Sequence, residues 1–239
     1  MNELREKCPW DQMQTFETLR HLTIEETYEL GDAILNKDLN EIKKELGDLL
    51  LHIVFYSKLG SEENAFDIAD VINDIIEKLI YRHPHIYGDV YASDAEEVKK
   101  NWEALKLSEG KQSVLEGVPK GLPALIKAQR MQEKAAGVGF DWNTKQQVWS
   151  KFEEELAELD EALLKDNKKA IEAEFGDVLF SLINYARFLK INPESALERT
   201  NQKFIRRFQY IEDQAKAQAS SIDKLSLDEM EALWQEAKS

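Results

Sequence analysis

The fold of this chain is decided by the stretch FEEELAELDEALLKDNKKAIEAEFGDVLF, residues 152–180, which places two acidic pairs on two successive predicted helices. The pairs are Glu155 with Glu158 and Glu174 with Asp177, and fifteen residues separate them. Residues three apart on a helix face the same side. Two such pairs on antiparallel neighbours can converge on one point, so we interpret the stretch as a metal-binding helical hairpin.

The same arrangement occurs earlier in the chain, at an offset of 129 residues for every acidic position. The four matching residues are Glu26, Glu29, Glu45 and Asp48. Both copies have a glycine directly before the final Asp. A glycine inside a helix costs about 1 kcal/mol relative to alanine, so it suggests close approach of another helix or of a ligand. The repeated spacing predicts a duplicated domain.

Composition restricts the class of protein. The 239 residues suffice for one large domain or two small ones, and 43% of them are hydrophobic. A net charge of −15 repels nucleic acid and anionic membranes, so we predict neither as a partner. The single cysteine and the absence of a signal peptide predict a cytoplasmic protein. No stretch reaches the roughly 18 apolar residues of a membrane span.

Apolar periodicity predicts an all-α fold of antiparallel helices with short loops. Helices are expected over 15–36, 39–59, 64–82, 95–107, 123–136, 145–165, 167–190, 194–218 and 226–237. Thr15 is the predicted N-cap of the first, and loops are expected over 8–14 and 83–95. Glycine and proline are densest in 108–123. We place the domain boundary there, which gives domains 1–115 and 116–239.

The second acidic pair of each copy lies beside an apolar stripe on its helix. The stripes are Ile42, Leu46, Leu49, Leu50 and Ile53 in the first copy and Ile171, Phe175, Val178, Leu182 and Ala186 in the second. Unpaired charges in such surroundings are costly. A hard divalent cation with oxygen ligands, Mg²⁺ or Mn²⁺, neutralises them and keeps positions for phosphate oxygens and water.

The acidic pairs have two other interpretations. Acidic pairs are common on exposed helices, so a metal-free structural bundle stays open as an alternative. A di-iron bundle requires Glu-x-x-His pairs. None of the four histidines lies three residues after a glutamate, so we set the di-iron site aside.

A basic face follows the second hairpin. Lys203, Arg206 and Arg207 are three and four residues apart, and arginine offers paired donors to phosphate. A solvated basic surface is the alternative. The matching segment of the first copy, 78–82, has Tyr81 in place of Arg206. We therefore predict that the first domain is weak or non-catalytic.

Together these residues resemble the MazG family of nucleoside triphosphate pyrophosphohydrolases over almost the whole chain. The matching motifs are CPWD (8–11), EETYE (25–29), ELGDLL (45–50), YRHPH (81–85), GFDW (139–142), FEEELAE (152–158), EFGDVLF (174–180) and KFIRRF (203–208). YRHPH departs from a doubly basic RRHPH, which weakens phosphate binding by the first domain.

The resemblance implies tandem helical-bundle repeats of the all-α NTP pyrophosphatase type, assembled as a homodimer. The implied activity is Mg²⁺-dependent hydrolysis of ribo- and deoxyribonucleoside triphosphates, ATP included, to the monophosphate and pyrophosphate. The implied metal ligands are Glu155, Glu158, Glu174 and Asp177, with a weaker second site at Glu26, Glu29, Glu45 and Asp48. The implied substrate-binding residues are Lys151, Lys203, Arg206, Arg207 and Trp234. The alternative is a non-catalytic nucleotide- or partner-binding module with regulatory Mg²⁺ sites.

Overall fold

The chain was analysed as a computed structural model that describes residues 1–94, 97–98, 101–102, 105, 113–217 and 221–238. Within these residues the protein forms eleven α helices, one 3-10 turn and no strand, which confirms the all-α prediction. Internal contacts divide the chain into two units, Met1–Trp102 and Glu103–Ser239. The domain boundary between 115 and 116 stays a prediction.

The first unit contains six of these helices. They are α1 (Asn2–Lys7), α2 (Pro9–Gln12), α3 (Phe16–Asn36), α4 (Leu39–Glu62), α5 (Ile68–Arg82) and α6 (Pro84–Tyr87). Helices α3 and α4 pack together as a hairpin. The predicted cap is confirmed, because the Thr15 hydroxyl accepts a hydrogen bond from the backbone N–H of Thr18 at 3.3 Å.

The turn between α3 and α4 requires a left-handed residue. Lys37 adopts φ 57°, and the side chain of Asp38 then accepts hydrogen bonds from the backbone N–H groups of Asn40 and Glu41. Asp166 occupies the same position of the second hairpin, 129 residues later, and has φ 47°. The two hairpins therefore share their turn geometry as well as their acidic positions.

The core of the first unit lies between α3 and α4. Leu19, Phe55 and Leu59 are buried, and the ring of Phe16 stacks on that of Tyr56 at 5.8 Å. Helix α1 is joined to α4 because the guanidinium of Arg5 donates to the carboxylate of Glu62 at 3.1 Å.

Two predicted loops contain short helices, so those predictions were wrong in part. The segment 8–14 includes α2, and the segment 83–95 includes α6. Each helix begins at a proline, Pro9 or Pro84. Proline disfavours helix in the residue before it, but its fixed φ suits the first helical position, so a short helix begins at each proline.

The second unit contains the other five helices. They are α7 (Ala124–Gly137), α8 (Lys145–Leu164), α9 (Lys168–Phe188), α10 (Pro193–Ala217) and α11 (Leu227–Glu236). Helices α8 and α9 form the second hairpin, α7 packs against α9 and α10, and α11 packs against α10. Thr144 and Asn167 cap the two hairpin helices, because their side chains accept from the backbone N–H groups of Gln147 and Ala170.

Half of the residues in the predicted apolar stripes are exposed, and the others are half-buried. Leu46 is 53% exposed and Phe175, at the matching position, is 55% exposed. The buried face of α4 instead carries Glu45, His52 and Phe55. A two-helix hairpin covers only one face of each helix, so the stripe remains open in the single chain.

The glycines beside the acidic pairs meet no neighbour within the described chain. A Cβ added at Gly47 or Gly176 would find nothing within 4 Å. No described helix therefore makes the close approach that these glycines suggested.

Two predicted segments lie wholly or partly outside the described residues. They are the helix over 95–107, most of which is not described, and the first part of the glycine-rich stretch, 108–112. Among the helices of the described part of the chain, none is long and apolar enough to span a membrane.

Candidate active site

The second hairpin brings three of the four predicted carboxylates together. Glu155 from α8 and Glu174 and Asp177 from α9 each offer a carboxylate oxygen, and these oxygens lie within 4.8 Å of one another. Glu158 is outside this closest set, although its charge acts on Glu174. Glu155 is buried, Glu174 is half-buried and Asp177 is exposed, so the cluster opens toward solvent.

The electrostatics of this cluster show negative charge that is only partly neutralised. Burial raises the pKa of Glu174, and the nearby carboxylates of Glu158, Asp177 and Glu155 raise it further. The ammonium of Lys151 lies 2.8 Å from Glu155 and 2.9 Å from Glu154. These contacts raise the pKa of Lys151, which therefore stays charged at neutral pH.

The first hairpin forms a matching cluster from Glu26, Glu29 and Glu45. Burial raises the pKa of Glu26, and the charge of Asp48 adds to that effect, so the fourth predicted residue is also nearby. Glu45 is 2% exposed. One of its oxygens accepts from Lys44 at 2.8 Å, and the other is buried without a hydrogen-bond partner in the described chain.

The chemistry of both clusters fits a hard divalent cation. All the donors are carboxylate oxygens, which Mg²⁺ and Mn²⁺ prefer. The raised pKa of Glu174 and the unpartnered oxygen of Glu45 are what a site short of positive charge produces.

A cavity of about 540 Å³ adjoins the second cluster. It lies between α7, α8, α9 and the loop that carries the GFDW motif, residues 139–142. Glu155, Asp177 and Lys151 line it on the cluster side. The volume falls within the range of about 300–1,000 Å³ that is typical of small-molecule sites.

The other predicted substrate-binding residues make no ion pair with the carboxylates among the described residues. Lys203 and Arg206 are exposed on α10, and neither forms an ion pair with the cluster in the described residues. Arg207 stacks over the ring of Trp234 at 5.5 Å, and Phe204 packs on the same ring at 5.2 Å. The structure thus brings Arg207 and Trp234 together but joins neither to the cluster.

Sequence reasoning missed the polar residues of the cavity, notably Gln132, Asn184 and Arg187. One signal could have found one of them. At the offset of 129, Asn184 corresponds to Phe55, so a polar residue replaces a core residue in the second copy only. Gln132 and Arg187 give no comparable signal, because long polar side chains are ordinary on helix surfaces.

We predict that the contribution of Glu174 to the stability of the metal-free protein is lost as pH rises from about 4.5, the ordinary value for glutamate, through the raised pKa of Glu174. Because the pKa of folded Glu174 is raised, the unfolded chain binds fewer protons than the folded one within that window, so ionisation disfavours the fold. Added Mg²⁺ or Mn²⁺ offsets this charge, and its effect on the melting temperature should be larger at the higher pH. Melting curves with and without metal check the prediction, and an equal metal effect at both pH values contradicts it.

The protein is therefore of the all-α class whose helical hairpins carry facing carboxylates that can hold a divalent cation. The chain belongs to the MazG family, because the MazG nucleotide pyrophosphohydrolase domain matches residues 14–87 and again residues 143–211. The two matches each contain one hairpin and its carboxylates.

Relatives of similar length support this membership. A nucleoside triphosphate pyrophosphohydrolase of Escherichia coli (strain K12) is 41% identical over 97% of this chain and 90% of its own length. The nucleoside triphosphate pyrophosphohydrolase/pyrophosphatase MazG of Thermotoga maritima is 43% identical over 100% of this chain and 92% of its own. Over a shorter stretch, a nucleoside triphosphate pyrophosphohydrolase of Mycobacterium tuberculosis is 37% identical over 58% of this chain and 43% of its own length.

Proposed function

We propose that the second unit hydrolyses nucleoside triphosphates to the monophosphate and pyrophosphate, with Mg²⁺ as the working cation. The observation that carries this proposal is the cluster of Glu155, Glu174 and Asp177, whose oxygens lie within 4.8 Å of one another beside a small-molecule cavity. The names of the family and of its relatives give the reaction class. Broad acceptance of ribo- and deoxyribonucleotides is part of the proposal.

The carboxylates and Lys151 have different roles at this site. Glu155, Glu174 and Asp177, with Glu158 beside them, would hold the cation, which when bound supplies positive charge to the triphosphate and polarises a water. Lys151 lies at the cavity wall and keeps its charge, so it can donate to a phosphate oxygen. A carboxylate oxygen of the cluster that does not contact the cation would accept the proton of the attacking water.

The basic face completes the proposed site. Lys203 and Arg206 are exposed and without ion pairs in the described residues, so their donors are free for a phosphate. Arg207 and Trp234, which contact each other, would bind the substrate from the same surface. Positive charge placed where negative charge develops on the leaving pyrophosphate lowers the barrier.

The first unit is proposed to be weak or non-catalytic. Its carboxylates Glu26, Glu29 and Glu45 cluster, but Lys44 already pairs with Glu45 at 2.8 Å. At the position that matches Lys151 it has Leu22, which packs against the core. Because of these differences, the first unit keeps a cation site but has fewer groups that can bind a triphosphate.

A homodimer is the proposed assembly. Leu46, Leu50 and Ile53 are exposed along α4, and at the offset of 129 Phe175, Leu179 and Leu182 are exposed along α9. Contiguous apolar stripes of this kind are typical of protein interfaces. A second copy of the chain would bury them, because the same stripe is present on every copy.

We predict that Leu179→Glu disrupts this dimer, because it buries a charge in an apolar interface. Light scattering after size-exclusion chromatography should give twice the chain mass for the wild type and one chain mass for the variant. Leu164→Glu is the matched control, since Leu164 is 88% exposed and lies outside the stripe, and it should remain dimeric. A monomeric wild type would contradict the proposed assembly.

The alternative is a module that binds nucleotide without hydrolysis. One paired measurement distinguishes it from the proposed enzyme. The protein is melted with Mg²⁺ and a nucleoside triphosphate, and pyrophosphate is assayed in the same sample. A melting shift with pyrophosphate release supports the enzyme, and a shift without release supports the binding module. A cytoplasmic location remains part of the proposal and rests on the single cysteine, Cys8.

A further inference from the structure

The cavity beside the second cluster combines aromatic walls with polar side chains. Phe140 and Trp142 from the GFDW loop and Phe180 from α9 line it. The loop is attached to α9 because the guanidinium of Arg187 forms an ion pair with Asp141, with one contact at 2.9 Å. Flat apolar walls beside a charged cluster suit a ligand that has an aromatic ring at one end and phosphates at the other.

Two amide side chains of the cavity have fixed orientations. The Nε2 of Gln132 donates to the backbone carbonyl of Phe180 at 2.8 Å, so its Oε1 is left as an acceptor, buried and without a partner in the described chain. The Oδ1 of Asn184 accepts from Arg187 Nε at 3.0 Å. Its Nδ2 is left as a donor that finds no acceptor among the described residues.

The equivalent space of the first unit is filled. At the offset of 129, His52 stands in place of Ser181 and Phe55 in place of Asn184. Both are buried, and Phe55, which is 2% exposed, is part of the core with Leu19. Ser181 and Asn184 are smaller than His52 and Phe55. The space that the larger side chains occupy in the first unit therefore stays open in the second.

We propose that this cavity binds the nucleobase of the substrate, with Asn184 and Gln132 as the groups that hydrogen-bond the base edge. The proposal rests on the function proposed above and adds where the base lies, in a cavity that Trp234 does not line. Every nucleobase presents both a donor and an acceptor on its edge, so one amide donor and one amide acceptor suit purines and pyrimidines alike. The cluster residues Glu155 and Asp177 line the same cavity, so a base bound there leads its triphosphate toward the cation.

The test transfers the first unit's residues into the second. In the full-length chain, Ser181→His with Asn184→Phe fills the cavity. The control installs the same residue types at the same spacing on exposed positions of α9, as Lys169→His with Glu172→Phe. Binding of α,β-methylene ATP and α,β-methylene CTP is measured by calorimetry, Mn²⁺ binding by electron paramagnetic resonance, and pyrophosphate release separately. The cavity variant should bind both analogues at least about tenfold more weakly and bind Mn²⁺ as the wild type does.

A second variant keeps the test decisive if the first does not fold. Asn184→Leu preserves the side-chain shape and removes the amide, and it should raise KM for ATP and CTP by about tenfold. The KM for ribose 5-triphosphate, which has no base, should change by less than about twofold in this variant. A purely structural defect would affect both substrates equally.

The outcomes separate the two proposals. Unchanged analogue binding in the cavity variant, or equal effects of Asn184→Leu on the substrates with and without a base, overturns the base site even if pyrophosphate is released. A wild type that binds the analogues, loses them with the cavity variant and releases no pyrophosphate supports the base site and refutes the proposed hydrolysis.

Discussion

Glu174→Gln should lower kcat for pyrophosphate release by at least about a thousandfold, equivalent to about 4 kcal/mol of barrier. Glu174 supplies one of the three converging oxygens of the second cluster, and its neighbours raise its pKa. Glutamine keeps the size of the side chain but removes the charge that a divalent cation needs. Steady-state rates with Mg²⁺, with the helical circular dichroism as a check on folding, measure the effect.

The duplication supplies the matched control for this substitution. Glu45→Gln changes the corresponding position of the first cluster. If the second unit is the catalytic one, this variant should keep its rate within about threefold of the wild type. Comparable losses from both substitutions would show that the two clusters work together, and retained activity in Glu174→Gln would remove that residue from the cation site.

Lys203→Gln combined with Arg206→Gln should lower kcat/KM by about a hundredfold, or about 2.7 kcal/mol. Both side chains are exposed on α10, and a charge-assisted hydrogen bond to phosphate contributes about 1.5–3 kcal/mol. The substitutions should leave the melting temperature unchanged, because neither residue forms an ion pair in the described part of the chain.

Lys78→Gln is the control for the basic face, because Lys78 begins the matching segment of the first unit. Its kcat/KM should stay near the wild-type value. A loss equal to that of the double variant would place a triphosphate in the first unit, and unchanged kinetics in the double variant would show that α10 does not contact substrate.

Local signals in the sequence predicted most of the helical hairpins. Thr15 caps α3, and α3 ends at Asn36, in agreement with the helix predicted over 15–36. The acidic positions converged as their spacing predicted, except that Asp48 and Glu158 lie outside the closest sets. These features depend on neighbours three or four residues away, which a single sequence displays.

Features that depend on contacts between distant segments could not be predicted in the same way. The apolar stripe predicted on α9 includes Phe175, which is exposed, because periodicity shows an apolar face without showing what covers it. The cavity is formed by α7, the GFDW loop and α9, which are separated in sequence. The pairing of Asp141 with Arg187 across 46 residues has no local signature.

The most direct test of the central claim follows one nucleoside triphosphate by ³¹P NMR in the presence of the full-length protein and Mg²⁺. The carboxylate cluster of the second unit and the family of the chain predict that the monophosphate and pyrophosphate signals grow together in equal amounts and stop when the cation is chelated. Accumulation of the diphosphate and orthophosphate would contradict the account.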